Sequence, residues 1–211
     1  MMFTWEETEH KIYQQERYLR FGTNASLGGM LFYPSFRQLY ETYPDLSITM
    51  KTGATNYIED EVLQGNLDIA YVLGYPKHKN LQYIHKADEH LVLIGKNVLN
   101  HDNIADCIDR QNILFASEDC CCLTTLQAIY NDYQVTKGEL THIYDYEALI
   151  QFTQLGMGVS IVAKSLVEKH KIQHYMELPE QYRNIGLYLI ARQDHGFTSI
   201  EKQFIGLNDK L

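Results

Sequence analysis

The sequence predicts an α/β protein with two sheets and a cleft between them, on three observations. Strand-like and helix-like segments alternate along the chain, which favours largely parallel strands with helices on both faces. A first run of such segments ends near Gly95, and a second begins near Asn112. The strand segments are also too many for one small sheet, so two sheets flanking a cleft accommodate them better.

Residues 4–17 read as a polar helix, with Thr4 and Glu7 spaced as a capping box and few apolar positions behind them. Such a helix is marginal alone and is expected to be the end of a linker helix. Leu19 to Thr23 is a short strand. Ser26 is placed to cap a helix reaching about Tyr43, with Phe32, Phe36, Leu39, Tyr40 and Tyr43 buried and a kink at Pro34. Tyr43-Pro44-Asp45 turns into a strand, Leu46 to Lys51. A helix from Asn56 to Gln64 stops at Gly65. Leu67 to Leu73 is apolar enough for a strand covered on both faces. Two short strands, Leu81 to His85 and His90 to Gly95, close the first unit.

The second unit opens with a strand, Asn112 to Ala116, and a helix, Leu123 to Tyr133, buried through Leu126, Ile129, Tyr130 and Tyr133. Leu140 to Tyr144 is a strand, and Glu147 to Leu155 a helix ended by Gly156. Val159 to Val162 is a strand, Ser165 caps a short helix to His170, and Ile172 to Met176 is a weaker strand. The chain finishes with a strand, Gly186 to Ala191, and a helix whose capping box is Thr198 and Glu201.

Composition narrows the function. The 211 residues suffice for one large domain or two small ones. No apolar run approaches the ~20 residues of a membrane span. The first ten residues hold Glu6, Glu7 and Glu9 and no apolar signal core, so a cytoplasmic location is expected. A net charge of −9 with scattered Lys and Arg speaks against nucleic-acid binding by this stretch itself. The cysteines, Cys107 and Cys120 to Cys122, are expected to be reduced and lack zinc-site spacing, so neither a metal nor a cofactor is expected. There is no G-x-S-x-G, P-loop or G-x-G-x-x-G, and Gly156-Met157-Gly158 follows a helix instead of opening one. The chain is not read as an enzyme.

Several stretches carry a family likeness. They are Leu19 to Leu46 (LRFGTNASLGGMLFYPSFRQLYETYPDL), Val62 to Leu73 (VLQGNLDIAYVL), Tyr146 to Val167 (YEALIQFTQLGMGVSIVAKSLV) and the ending GLYLIARQDHGFTSIEKQFIGL. In that order and spacing they resemble the effector-binding domain of LysR-type transcriptional regulators, from about residue 18 to the end. The resemblance implies a fold like a type 2 periplasmic binding protein: two Rossmann-like α/β subdomains, two crossover segments, and a ligand cleft between. The crossovers would fall near Asn97 to Asp102 and Tyr182 to Asn184. Residues 18–98 and 185–211 would form one subdomain, 99–184 the other, and 1–17 the remnant of a linker helix. It further implies a small polar or anionic effector, a homodimer or tetramer, and DNA contact only through a winged helix-turn-helix domain ahead of this stretch. A stand-alone solute-binding protein is the alternative on the same fold.

Ser26 is the leading site candidate. A hydroxyl and free backbone N–H groups at a helix start favour an anion, and the family's matching Ser or Thr often touches the effector. The plainer role is an N-cap, and both can hold. Asn24 and Ala25 share its loop. Gly53 and Ala54 either line the cleft or make a simple turn. Cys121 and Cys122 mirror Ser26 in the other subdomain. EDCCCL, residues 118–123, also resembles the peroxide-sensing members of the family, with Cys122 as the redox candidate, although no second cysteine follows about nine residues on. Packing and cleft lining are the alternatives for these thiols. The family often has an Arg shortly after this cysteine; Thr124 and Thr125 stand there, and Thr124 could donate a hydroxyl instead. Tyr144 and Asp145 lead into a helix on the cleft side, where Asp145 either caps the helix or meets an effector amine.

Overall fold

The computed structural model describes residues 17–209 except 28, 75, 76 and 119. The helix expected over residues 4–17 thus lies outside the described residues, save its last position.

The first lobe is centred on strand β1 (Tyr18–Asn24), paired in parallel with β2 (Ser47–Gly53) and β3 (Ile69–Leu73). β3 is buried at every position, which explains its unbroken apolar sequence. Two further strands, β9 (Asn184–Arg192) and β4 (Leu81–Ile94), extend this sheet antiparallel. The largely parallel sheet expected from the alternation is therefore a mixed one. The reason is topological: β4 leaves the lobe and β9 returns to it, so the two must run in opposite directions.

The two short strands expected over residues 81–95 are one strand. A register shift between His85 and Ala87 carries it through the polar stretch that broke the pattern. Up to His90, β4 pairs with β9. From Leu91 it pairs with β7 (Ser160–Ala163) and β8 (Tyr175–Glu177). The chain thus changes sheets inside a strand, ahead of the crossover expected at Asn97 to Asp102.

Helices cover both faces. The chain leaves β1 through a turn and a 3-10 segment, Gly29–Phe32, before α1 (Tyr33–Thr42) begins. Ser26 is therefore not the cap of this helix, as expected, but a turn residue ahead of it. Pro34 sits in the first turn of α1, where its missing N–H and fixed φ fit, so it does not interrupt the helix. Phe32 and Leu39 are fully buried, Phe36 and Tyr43 partly, whereas Tyr40 faces solvent against expectation. The rings of Phe21, Phe32, Phe36, Tyr71 and Phe204 pack between the sheet and the pair formed by α1 and α8 (Ser199–Leu207). The Thr198 and Glu201 capping box that starts α8 forms in full. On the other face α2 (Thr55–Leu63) buries Ile58 and Val62 against Leu67, Ala70 and Ile190.

The second lobe repeats the plan on a smaller scale. β5 (Ile113–Phe115) pairs in parallel with β6 (Leu140–His142), and a bridge from Ile113 to Val159 joins it to the entry of β7. A short helix, α3 (Ile104–Ile108), precedes β5, and α4 (Cys121–Tyr133) follows it. α5 (Tyr146–Leu155) and α6 (Lys164–His170) pack Leu149, Ile150, Leu166 and Val167 against Val92, Ile94 and Leu114. Ser165 does not cap α6; Ala163 takes that position without a side-chain bond. The last short helix, α7 (Glu180–Arg183), leads straight into β9.

Candidate functional site

Parallel strands leave a crevice beyond their carboxyl ends, and here both lobes turn those ends toward one another. β1 and β2 end at Asn24 and Gly53, and β5 and β6 end at Phe115 and His142. Between them lies a cavity of about 750 Å³, lined from the first lobe by residues 24–26, 52–55 and 57. The second lobe contributes residues 116, 117, 120–122, 142, 144–147, 166, 169 and 170.

Helices α2, α4 and α5 all begin at this cavity. The first-turn N–H groups of a helix have no intrahelical acceptors and carry a partial positive charge. Among the described residues the first turns of α2 and α4 hold no acidic side chain to offset it. Lys169 at the end of α6 places a cation on the second-lobe wall, with His170 beside it. Glu147 lies 3.5 Å from Lys169 Nζ and 3.4 Å from His170 Nδ1, holding both near the opening.

Asn24 lines the cavity, but its side chain serves the scaffold. Its amide donates to Thr55 Oγ1 at 2.9 Å, its carbonyl accepts from Leu73 N–H at 2.6 Å, and Thr55 in turn donates to the Leu73 carbonyl at 2.7 Å. β1, β3 and the start of α2 are thereby locked at one corner. Ala25 donates its N–H to the Gly53 carbonyl at 3.0 Å, tying the two first-lobe loops together. Ser26 is buried, and its hydroxyl faces that of Tyr146 from the opposite lobe. Burial, with the three nearby thiols, keeps the Tyr146 phenol protonated far above its usual range. Gly53 and Ala54 line the cavity together, and a side chain at Gly53 would run into the Tyr57 ring.

Asp145 caps α5, accepting the Ala148 N–H at 2.8 Å, so the plainer of its expected roles holds while it still borders the cavity. Tyr144 is 83% exposed and lies over His142, ring centroids 4.0 Å apart; His142 in turn stacks on Phe115 at 4.8 Å and 9°. The Tyr144 ring is tilted 37° to His142 and forms an exposed aromatic edge on the second-lobe side.

Cys120, Cys121 and Cys122 all reach the cavity. Cys120 caps α4 and its sulfur accepts the Leu123 N–H at 3.3 Å. Beside the Cys122 thiol, and with backbone N–H groups aimed at its sulfur, Cys120 is lowered from its ordinary value. Cys122 is buried, and its neighbouring thiols together with desolvation raise it above the ordinary value. Cys107 is core: its thiol donates to the Val98 carbonyl at 3.3 Å, and burial raises it to about 11.

Of the residues singled out from sequence, Thr124 stands apart. It is exposed, outside the described cavity lining, and donates to the Cys120 carbonyl one turn back. Thr52, Thr55, Tyr57, Ser117, His142, Lys169 and His170 line the cavity without having been singled out. Tyr146 lies on the cleft side together with Tyr144 and Asp145, at the helix start expected there. Lys169 and His170 carried no local signal.

The LysR substrate binding domain family model matches residues 14–207. The HTH-type transcriptional regulator SoxR of Arthrobacter sp. (strain TE1826) is 27% identical over 177 residues, 82% of this chain and 60% of that protein. The HTH-type transcriptional regulator YofA of Bacillus velezensis is 26% identical over 190 residues, 89% of this chain and 65% of that protein. The chain thus spans about three fifths of the length of these curated relatives. Among solved structures, the Synechocystis PCC6803 CcmR regulatory domain in complex with 2-PG aligns with a TM-score of 0.78 at 15% identity, covering 92% of this chain and 96% of that one. The effector binding domain of QuiR in complex with shikimate aligns at 0.72 and 14% identity, covering 92% and 95%. At such identities these structures speak for the fold.

Proposed function

The chain belongs to the LysR substrate-binding domain family, and on that premise we propose that its cleft is the effector site of a transcription regulator. The observation that carries this is the cavity between the lobes. It joins a buried hydroxyl, Ser26, to uncompensated helix starts and to Lys169. That donor-rich, cation-bordered setting suits a small polar or anionic metabolite. Asn24, Ala25, Ser26, Gly53, Ala54, Cys121, Cys122, Tyr144 and Asp145 form the effector contacts in this reading; Thr124 is left out. No catalysis is assigned. His142, the imidazole best placed to act as a base, bonds the Ala116 carbonyl at 3.0 Å and not a nucleophile.

The reading takes one lobe of residues 18–98 and 185–211 and another of 99–184, with the end of β4 from Leu91 already on the second lobe's sheet. The chain's passage between sheets within β4 and at the start of β9 supports a hinge. Effector binding closes the lobes and shifts a population of dimer or tetramer arrangements. DNA is contacted by a separate domain of such a regulator, in the cytoplasm. No helix among the described residues is long and apolar enough to cross a membrane.

A thermal-shift screen of reduced protein against small carboxylates, amino acids and inorganic anions tests the proposal. A ligand at 100 times its Kd adds roughly 2.7 kcal/mol, about 5–11 °C in Tm for a chain of this size. Ser26→Ala is expected to remove most of the shift while leaving the unliganded Tm nearly unchanged. Hits that survive Ser26→Ala, Ala54→Trp and Lys169→Ala together would place the ligand elsewhere and overturn the reading.

A further inference from the structure

We propose that Cys120 is a covalent modification site within this cleft, where its sulfur adds to small, planar, conjugated carbonyl compounds. The proposal rests on the reading of the cavity as the effector cleft.

The cysteines of the chain are sorted by their surroundings. Cys107 is buried and occupied by the Val98 carbonyl. Cys122 is buried in the core. Cys120 combines the features of a nucleophile. It borders the 750 Å³ cavity, caps the start of a thirteen-residue helix, and accepts the Leu123 N–H at sulfur. The helix start and the N–H aimed at sulfur both stabilise the thiolate, the reacting form.

The cavity also points to the electrophile. The His142 and Tyr144 rings line the same space, tilted 37° to each other, and the Tyr144 ring leaves an open π face there. Flat conjugated molecules stack on such a surface. In the addition, the Cys120 sulfur forms a bond to the β-carbon as the C=C π bond breaks. That electron pair moves through the α-carbon onto the carbonyl oxygen as an enolate. The proton released by the thiol then returns, through water, to the α-carbon, and no oxidant is consumed. The adduct would stand beside Tyr146, which neighbours all three thiols and faces Ser26 across the cleft. Modification and reversible effector binding would thus act on the same lobe-to-lobe contact.

The test uses the reduced full chain with stoichiometric trans-cinnamaldehyde or trans-2-hexenal, followed by tandem mass spectrometry. Each rate is divided by that enal's rate with glutathione. The expected result is one adduct per chain, on Cys120, at least about tenfold faster than on glutathione, with the aryl enal favoured several-fold. Cys120→Ser and Cys120→Ala should both lose the fast adduct, Cys121→Ser should keep it, and Tyr144→Ala should lose the aryl preference. A fast adduct on Cys121, or rates no higher than with glutathione, would overturn the proposal. So would a parallel peroxide reaction that joins Cys120 to Cys122 much faster than either enal adds. Repeating the thermal-shift screen on Cys120→Ser separates the two readings: retained non-covalent hits keep the cleft even where the thiol chemistry fails.

Discussion

Asn24 was singled out as a contact residue, yet all of its bonding capacity visible in the structure is directed inward. Its amide and carbonyl satisfy Thr55 Oγ1 and the Leu73 N–H in a buried corner. Asn24→Ala would leave the Leu73 N–H without its acceptor, and a buried unsatisfied group costs about 1–3 kcal/mol. Chemical denaturation should show that loss with an unchanged m-value, and ligand affinity should fall with it because the Ser26 loop starts there. An unchanged midpoint would mean that the corner is not a structural lock. Ser26 teaches the complementary lesson. Serine after a strand is legible as a turn or cap residue, but its partner, Tyr146, is 120 positions away and belongs to the other lobe. The same holds for the thiols. Their adjacency is visible in the sequence, whereas which one is shielded follows from the helix register that turns Cys122 into the core and leaves Cys120 at the cap.

At the scale of elements, the turn Gly156-Met157-Gly158 sets the second lobe. Gly156 ends α5 with φ +85°, a conformation that side chains with a Cβ rarely adopt. Gly158 lies against the Asn112 backbone, where Val159 N–H donates to the Asn112 carbonyl at 2.9 Å and ties β7 to β5. A Cβ at Gly158 would meet that carbonyl, which is backbone and cannot turn aside. Gly158→Ala is therefore expected to lower stability by about 1–3 kcal/mol, read as a drop in Tm. A variant as stable as the parent would show that β5 can shift freely. Most other strand and helix positions were legible, because hydrophobic period and helix stops act over a few residues, whereas the short helices α3 and α7 have too few turns to show a period. Two further departures have physical causes. α1 begins after a 3-10 segment because Pro34 fits a first turn, and β4 continues through polar residues because its pairing with β9 continues.

For the whole molecule, the cleft is crossed by a polar contact between the Ser26 and Tyr146 hydroxyls. Tyr146→Phe removes it while keeping the ring. Since one such contact contributes about 0.5–1.5 kcal/mol, Tm should change little, whereas the balance between open and closed lobes should move. Small-angle scattering of the unliganded variant is expected to give a larger radius of gyration than the parent, with the difference closing when a stabilising ligand is added. Equal radii would mean that the contact does not govern the lobes. The chain's net charge of −9 does not conflict with an anion-accepting cleft, because the helix starts act at contact distance and bulk charge is screened beyond about 8–10 Å.

The sequence by itself determined the α/β class, the order and type of most elements, the cap at Thr198, and the loops that end at Asn24, Gly53 and Tyr144. All of these depend on interactions within a turn or two of chain or on the alternation of buried and exposed positions. Only the tertiary structure decided that β4 serves both sheets, that Thr124 turns away while Lys169 and His170 face the cleft, and that Cys120 is the shaped thiol. Those outcomes depend on how two lobes are set against each other. That arrangement arises from packing between residues far apart in the chain, which no local pattern records.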